Sequence, residues 1–426
     1  MKADLPALFV RVAFLLALTA GLAGCAAVPN IPQGRPARVA VAFDRNAVRG
    51  SWSDGLADLR SGRLAAPDDP VRIASISKLV VAVGAMRLAE QGKLDLDRDV
   101  NDYLGWSLRN PAYPDRPISL RMLLSHTSSL RDGDDAYVVP LGRMIRDAVS
   151  DPDVWDAAHA PGAGYFAYAN FNFPLVASIM EKVTGERFDR WMRREVIMPL
   201  RIDACFNWPT CSDAAIDRAV VLTQGGRPVR DDLDGGRPDC AVVVSADGKC
   251  DLGRWRAGDN GALFSPQGGL RISVLALARI GKMLLNGGMI DGVRILTSQS
   301  INAMLTPQWR RQGSNGARSG EGSGMCAYGL GIQLPASGIA GCADNPGLPA
   351  GDWSGHSGEA YGLRSGLWID RTAGLGIAYF VTGLPDDPPP GSSDFSAPEE
   401  EMIARSLALL SAGQSASSSP PVRHSE

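Results

Sequence analysis

An α/β (α+β) fold is predicted for this chain by three observations. Segments with strand character lie at both ends, at 39–43 and 50–59 near the start and at 365–370 and 375–382 near the finish. Helical periods fill much of the interval between them. A helix over about 75–91 is apolar on most sides (Leu79, Val80, Val83, Met86, Leu88), and such a helix is a buried one. Together they imply an α/β lobe formed by both termini, about 37–105 and 260–411, with a mainly helical lobe, about 106–259, inserted between. The length agrees, because 426 residues exceed the roughly 250 to 300 at which a single core stops growing.

The chain opens with Lys2 and Arg11 before an apolar, small-residue stretch at 12–24. That stretch is shorter than the roughly 20 residues of a membrane-spanning helix and fits an export signal. It ends Leu22-Ala23-Gly24-Cys25, which resembles the lipobox of bacterial lipoproteins, where the cysteine is lipidated. The resemblance implies a signal over 1–24, lipidation of Cys25, and a lipidated N-terminus and linker over 25–36. Several acyl chains on one residue suffice for stable anchoring. Ala26, rather than Asp, resembles the sorting signal for the outer membrane, so the expected location is periplasmic and lipid-anchored to the cell envelope.

Export changes how the other cysteines read, since disulfides persist in oxidising compartments. Cys205, Cys211, Cys240, Cys250, Cys326 and Cys342 form an even set, and proximity in sequence suggests 205 with 211, 240 with 250 and 326 with 342. A metal cluster is disfavoured, because there is no CxxC and the four histidines lack HExxH spacing. No cofactor is implied. Hydrophobic residues at 45% and charged residues at 21% exclude a mostly disordered, collagenous or multi-span chain. A net charge of −3 without a long basic run excludes a nucleic-acid footprint.

Each further element has a local reason. Gly92 is placed to end the buried helix. Helical periods follow at 173–184 and 187–197, the second stopped by Pro199. Gly, Asp and Arg dominate 224–239, which reads as a surface excursion. A short strand is expected over 241–249, reaching the turn signal Asp247-Gly248. A helix covers about 273–286, and Arg371-Thr372-Ala373-Gly374 joins the last two strands as a hairpin. Ser396 and Glu399 form a capping box for a helix to about Ser411, and 412–426 is a Ser/Pro-rich tail expected to be disordered.

The chemistry begins at Ser75-Ile76-Ser77-Lys78. A hydroxyl and an amine at i and i+3 share one helix face. Serine becomes a nucleophile when a neighbouring base takes its proton, which a desolvated lysine can do. Lysine is scarce here, with six against thirty-seven arginines, so one inside a motif is informative. Ser77 faces away from Ser75. Alone the motif is weak, with about 0.5 chance matches expected. Downstream, Tyr168-Ala169-Asn170 and His356-Ser357-Gly358 are single occurrences of Y-x-N and H-x-G. The three together are expected by chance at roughly the 0.05 level before order is considered. No G-x-S-x-G, P-loop or G-x-G-x-x-G is present.

In that order the motifs resemble the serine β-lactamase and penicillin-binding superfamily, within it the class C, D-peptidase and esterase branch. The segment from Leu123 to Leu130 is similar to that branch's L-L-x-H-T-S-G-L, with Ser129 for glycine. Ser265-Pro266-Gln267-Gly268-Gly269-Leu270 and Tyr328-Gly329-Leu330-Gly331 also match, so the resemblance covers about 37–411. It implies a β-lactamase/transpeptidase-like fold, an antiparallel sheet flanked by helices. Ser75 would be acylated, with Lys78 as its base or proton relay and Tyr168 as the phenolate or proton shuttle. Which of the two is the base stays open. Asn170 would bond the substrate amide, His356, Ser357 and Gly358 would line the substrate site, and the N–H groups of Ser75 and Glu359 would form the oxyanion hole. Ser125, His126 and Thr127 read as structural.

His356 stands where many members carry lysine, and an unperturbed histidine is mostly neutral at pH 7. Glu359 adds a negative charge nearby. Both disfavour a β-lactam carboxylate, so the expected substrate is a small ester or a D-amino-acid peptide, small-molecule or peptidoglycan-like. A β-lactamase or D-Ala-D-Ala carboxypeptidase is the alternative. A non-catalytic penicillin-binding sensor or scaffold is a further one, opposed by the presence of Ser75, Lys78 and Tyr168 together.

Overall fold

The computed structural model describes residues 35–317 and 324–417, with side chains to Ser411. The expected signal, Cys25 and residues 418–426 lie outside the described residues. Strands β1 (Arg38–Asp44) and β2 (Val48–Asp54) form a hairpin. Its turn is held by Asp44, whose Oδ1 accepts the N–H of Asn46 at 2.7 Å and of Ala47 at 2.8 Å. The single strand expected over 50–59 is broken at Gly55, which has φ +83° and would bring a Cβ within 2.1 Å of the Pro36 carbonyl oxygen. Leu56–Asp58 is therefore a separate short strand.

Helices α1 (Ile76–Glu90), α2 (Asn172–Thr184) and α3 (Val274–Leu285) follow, and then strands β3 (Trp353–Ala360), β4 (Leu363–Asp370) and β5 (Leu375–Val381). The last helix is α4 (Ala397–Ser417). The main sheet has the order β3-β4-β5-β1-β2 with antiparallel pairs throughout, so the two ends of the chain meet where Arg38 faces Val381. Val39, Val41 and Phe43 enter the core shared with α1 and α3, while Ala40 and Ala42 pack with Trp368, Tyr379, Met402 and Ile403 beside α4. Covered on both faces, β1 and β5 read as continuous apolar runs rather than alternating ones. Residues 76–86 of α1 are buried without a break, as its all-round apolar sequence requires.

Several expectations need correction. The helix expected at 187–197 is α-helical over Phe188–Met192 and π-helical over Arg193–Ile197, a wider turn that keeps Val196 and Ile197 buried. The strand expected over 241–249 does not form. The turn at Gly248 exists, its N–H bonded to the Ser245 carbonyl at 2.8 Å, but Val243 and Val244 are exposed with no neighbouring strand. The excursion at 224–239 contributes to a hairpin, Leu222–Gln224 with Arg227–Arg230, and then turns the Asp231 side chain into the interior. Helix α4 continues past Ser411 through Gly413, since one glycine costs a helix only about 1 kcal/mol. Its capping box is present, with the Ser396 N–H donating to Glu399 Oε2 at 3.0 Å. The three disulfides join 205 to 211, 240 to 250 and 326 to 342.

Candidate active site

Ser75 is delivered by a short strand, Val71–Arg72, which pairs with Leu270–Ile272 and runs into α1 through Ala74. Ala74 has φ +52°, a left-handed conformation that costs an L-residue roughly 1–2 kcal/mol. Ser77 braces this turn: its hydroxyl donates to the Ala74 carbonyl at 2.7 Å and accepts the Leu270 N–H at 3.1 Å. Ser75 occupies the N-cap of α1, yet its hydroxyl makes no capping bond. Instead it accepts from Lys78 Nζ at 2.9 Å. Lys78 is fully buried, and Nζ also donates to Asn170 Oδ1 at 2.7 Å and to the Gln267 carbonyl at 3.1 Å. The half-buried Ser75 thus presents an oxygen to an open cavity while its amine partner is held from behind.

The second motif lies just before α2. Tyr168 places its ring 4.7 Å from Lys78 Nζ, measured to the ring centroid. Asn170 spans two partners, since its Nδ2 donates to Asp132 Oδ2 at 2.9 Å while its Oδ1 holds Lys78. Asp132 also accepts the Phe171 N–H at 2.9 Å. Burial raises the Asp132 carboxyl above the usual range, against the lowering effect of the Asn170 and Phe171 hydrogen bonds and the Lys78 charge. Asp132 belongs to no motif, and nothing in the sequence marked it.

His126 explains the segment from Leu123 to Leu130 in which it lies. Its Nδ1 accepts the Ala169 N–H at 3.1 Å and lies 3.0 Å from Asn172 Nδ2, and its ring stacks on Tyr168 with centroids 4.3 Å apart. Burial and then the Lys78 charge hold it well below the ordinary histidine range, so it is a neutral prop for the Tyr168 loop. Ser125 bonds to the Arg121 carbonyl and lies 3.0 Å from Thr127 Oγ1, a structural arrangement. Ser129 adopts φ +63°, the conformation that favours glycine at this position of the motif.

The third motif sits on β3. A Cβ on Gly358 would lie 2.4 Å from the Ile73 carbonyl oxygen and 2.4 Å from Ser365 Oγ, so the glycine lets β3 pass against the strand that delivers Ser75. On the side of β3 away from β4, the N–H of Gly355 bonds to the Gln333 carbonyl at 3.0 Å and that of Ser357 to Gln333 Oε1 at 3.0 Å. By the two-residue period of a strand, the Glu359 N–H points the same way, towards the cavity its residue lines.

His356 borders the cavity, as expected, but its ring is sealed by its own partners. It is fully buried, with Nδ1 2.5 Å from the Ser357 carbonyl and Nε2 2.9 Å from Tyr328 Oη. A carbonyl partner requires Nδ1 to carry the hydrogen, so Nε2 accepts from Tyr328. Burial, then the Lys78 charge, push its pKa down to about 3. Both nitrogens are engaged within the protein, and the ring offers a substrate neither charge nor donor. The negative charge expected at Glu359 is paired: it lies 2.6 Å from Arg364, which lies 3.7 Å from Glu399.

Ser75, Tyr168, Asn170, Ser357 and Glu359 line one cavity of about 650 Å³, which brings the three motifs to one place. A family model described as Beta-lactamase matches residues 19–395. The chain is 27% identical over 173 residues to the D-alanyl-D-alanine-carboxypeptidase/endopeptidase AmpH of Escherichia coli (strain K12), an alignment covering 39% of this chain and 43% of that one. It is 28% identical over 171 residues to Esterase EstB of Burkholderia gladioli, covering 36% and 42%. The chain spans less than half the length of these two relatives. The crystal structure of a D-amino acid amidase from Ochrobactrum anthropi SV3 superposes with a TM-score of 0.61 at 19% identity, covering 89% of this chain and 94% of that one.

Proposed function

The chain belongs to the beta-lactamase family, and from that premise we propose that it is a serine hydrolase cleaving an ester or amide through a Ser75 acyl-enzyme. The observation that carries this is the 2.9 Å contact between Ser75 Oγ and the amine of a wholly buried lysine. In the proposed cycle Ser75 Oγ bonds to the substrate carbonyl carbon as its proton passes to the Lys78/Tyr168 pair. The resulting oxyanion is held by the N–H groups of Ser75 and Glu359. Collapse expels the alcohol or amine, which takes that proton, and water then releases the acid and restores the Ser75 hydroxyl.

A small ester or a D-amino-acid peptide suits the site better than a β-lactam, because the third motif carries a neutral, internally bonded His356. An esterase and a D-alanyl-D-alanine carboxypeptidase among the relatives support that range. From the resemblance of Leu22-Ala23-Gly24-Cys25 to a lipobox we further propose that the protein is lipid-anchored at the cell envelope through Cys25, for which mass spectrometry of the mature N-terminus is the check. A fluorophosphonate probe should label the wild type and leave Ser75→Ala unlabelled. Short p-nitrophenyl esters or D-alanyl peptides should exceed nitrocefin in kcat/KM, and the reverse order would overturn the substrate preference. A fluorescent penicillin that acylates Ser75 and is never released, with no turnover of the esters or peptides, would replace the hydrolase by a penicillin-binding sensor.

A further inference from the structure

Beside the main cavity lies a second chamber of about 320 Å³, and Arg72, Arg230, Ser265 and Gln267 line both. The Gln267 carbonyl accepts from Lys78 Nζ, so the junction of the two chambers borders the catalytic lysine. Among the described residues, Asp231 is the one acidic side chain lining the smaller chamber, and it is already committed. It bonds to Arg271 at 2.6 Å and lies 3.5 Å from Arg72 Nε. Two buried guanidinium groups therefore share one carboxylate, which leaves a positive charge inside the protein uncompensated. Arg72 Nε is moreover buried without a hydrogen-bond partner. Burial, then the Arg72 charge, push the Arg271 pKa down to about 9, the expected response to a missing anion.

A third guanidinium, that of Arg230, is held beside them. The Tyr361 ring lies 4.8 Å from the Arg230 guanidinium and 5.8 Å from that of Arg72, and Arg230 donates to Tyr361 Oη at 3.2 Å. A buried charge is costly unless paired, and a bidentate arginine is well matched to a carboxylate.

We infer that the smaller chamber, which shares Arg72 and Arg230 with the main cavity, binds a carboxylate borne by the substrate at a place separate from the third motif, whose neutral His356 still leaves a β-lactam carboxylate without its cation. This rests on the hydrolase reading and narrows it to anionic esters or amides. Asp135, Asp344, Glu359, Asp394 and Glu399 line only the larger cavity, so the preference is local to the chamber rather than a property of the whole cleft.

The test compares 4-nitrophenyl butyrate with 4-nitrophenyl hydrogen succinate, which carries its carboxylate on the acyl side, and with 3-carboxy-4-nitrophenyl butyrate, which carries it on the leaving group. For each pair the ratio of kcat/KM, anionic over neutral, is measured in the wild type and in Arg230→Gln. For at least one carboxylate position the ratio should fall roughly tenfold or more in the variant. It should fall again when wild type is moved from about 20 mM to about 500 mM salt. Ratios equal within twofold in both proteins, at both positions, would overturn the inference. Arg230 is exposed, so the variant tests recognition without disturbing a core, and Arg72→Gln serves as a second variant if its melting temperature is retained. Wild-type hydrolysis of the neutral ester by Ser75→Ala would instead defeat the hydrolase reading itself, which separates the two failures.

Discussion

Lys78 and Tyr168 set the expectations at the scale of single residues. A proton positioned for transfer is worth about 10²- to 10⁴-fold in rate, so Lys78→Ala and Tyr168→Phe should each lower kcat by that order. Circular dichroism melting is measured alongside, and wild-type turnover by a folded form of either variant would break the assignment. These residues were legible because S-x-x-K and Y-x-N carry their chemistry in local spacing. Asp132 was not, because its contribution is a contact with Asn170 and Phe171 across nearly forty positions of sequence that no local pattern encodes. Arg72 and Asp231 were hidden in the same way: each is unremarkable until folding sets them, with Arg271, in one buried cluster. His356 was located by its motif, yet its sealed environment depends on Tyr328, which approaches from another strand.

Elements were legible where one local signal dominated. Helix α1 is apolar on every side and α4 begins with a capping box, so each could be placed from its own residues. Strand β3 was missed because WSGHSGEA mixes glycine with polar residues and owes its extended form to eight paired residues on β4. Its glycines are steric necessities, and Gly358 yields a sharp expectation. A methyl group there meets the Ile73 carbonyl and Ser365 Oγ at 2.4 Å each, in a core that cannot yield cheaply. Gly358→Ala should push β3 away from Ser75, costing about 1–3 kcal/mol of stability through overpacking. Displacing the Glu359 N–H should lower kcat by about 100-fold, the loss typical of a misplaced oxyanion donor. Steady-state kinetics on a p-nitrophenyl ester decide it, and an unchanged kcat would remove Glu359 from the oxyanion hole.

For the whole molecule, burial of three ionisable side chains, His126, Glu181 and His356, ties stability to pH. His356 is pushed from 6.5 down to about 3, and His126 is held well below 6.5. Below pH 6.5 the unfolded chain takes up protons that these folded-state imidazoles refuse. Their contribution is therefore complete above 6.5 and drains as pH falls, for His356 by about 1.4 kcal/mol per pH unit. Glu181 acts in the opposite sense. It accepts the N–H groups of Phe188 and Gly258 and the Trp255 indole, yet burial raises its pKa from 4.5 to about 7. Its protonated form contributes fully below 4.5, and that contribution is lost as pH rises through 7. On acidification between 6.5 and 4.5 His356 and Glu181 oppose each other with comparable slopes, and His126 adds a loss in the same sense as His356. Urea midpoints at pH 6.5 and pH 5 measure each share by difference. Relative to wild type, His356→Asn should lose less stability over that interval and Glu181→Gln should lose more. A His356→Asn slope equal to that of the wild type would mean that His356 takes up protons in the folded protein as readily as in the unfolded chain, which would contradict the sealed, internally bonded ring.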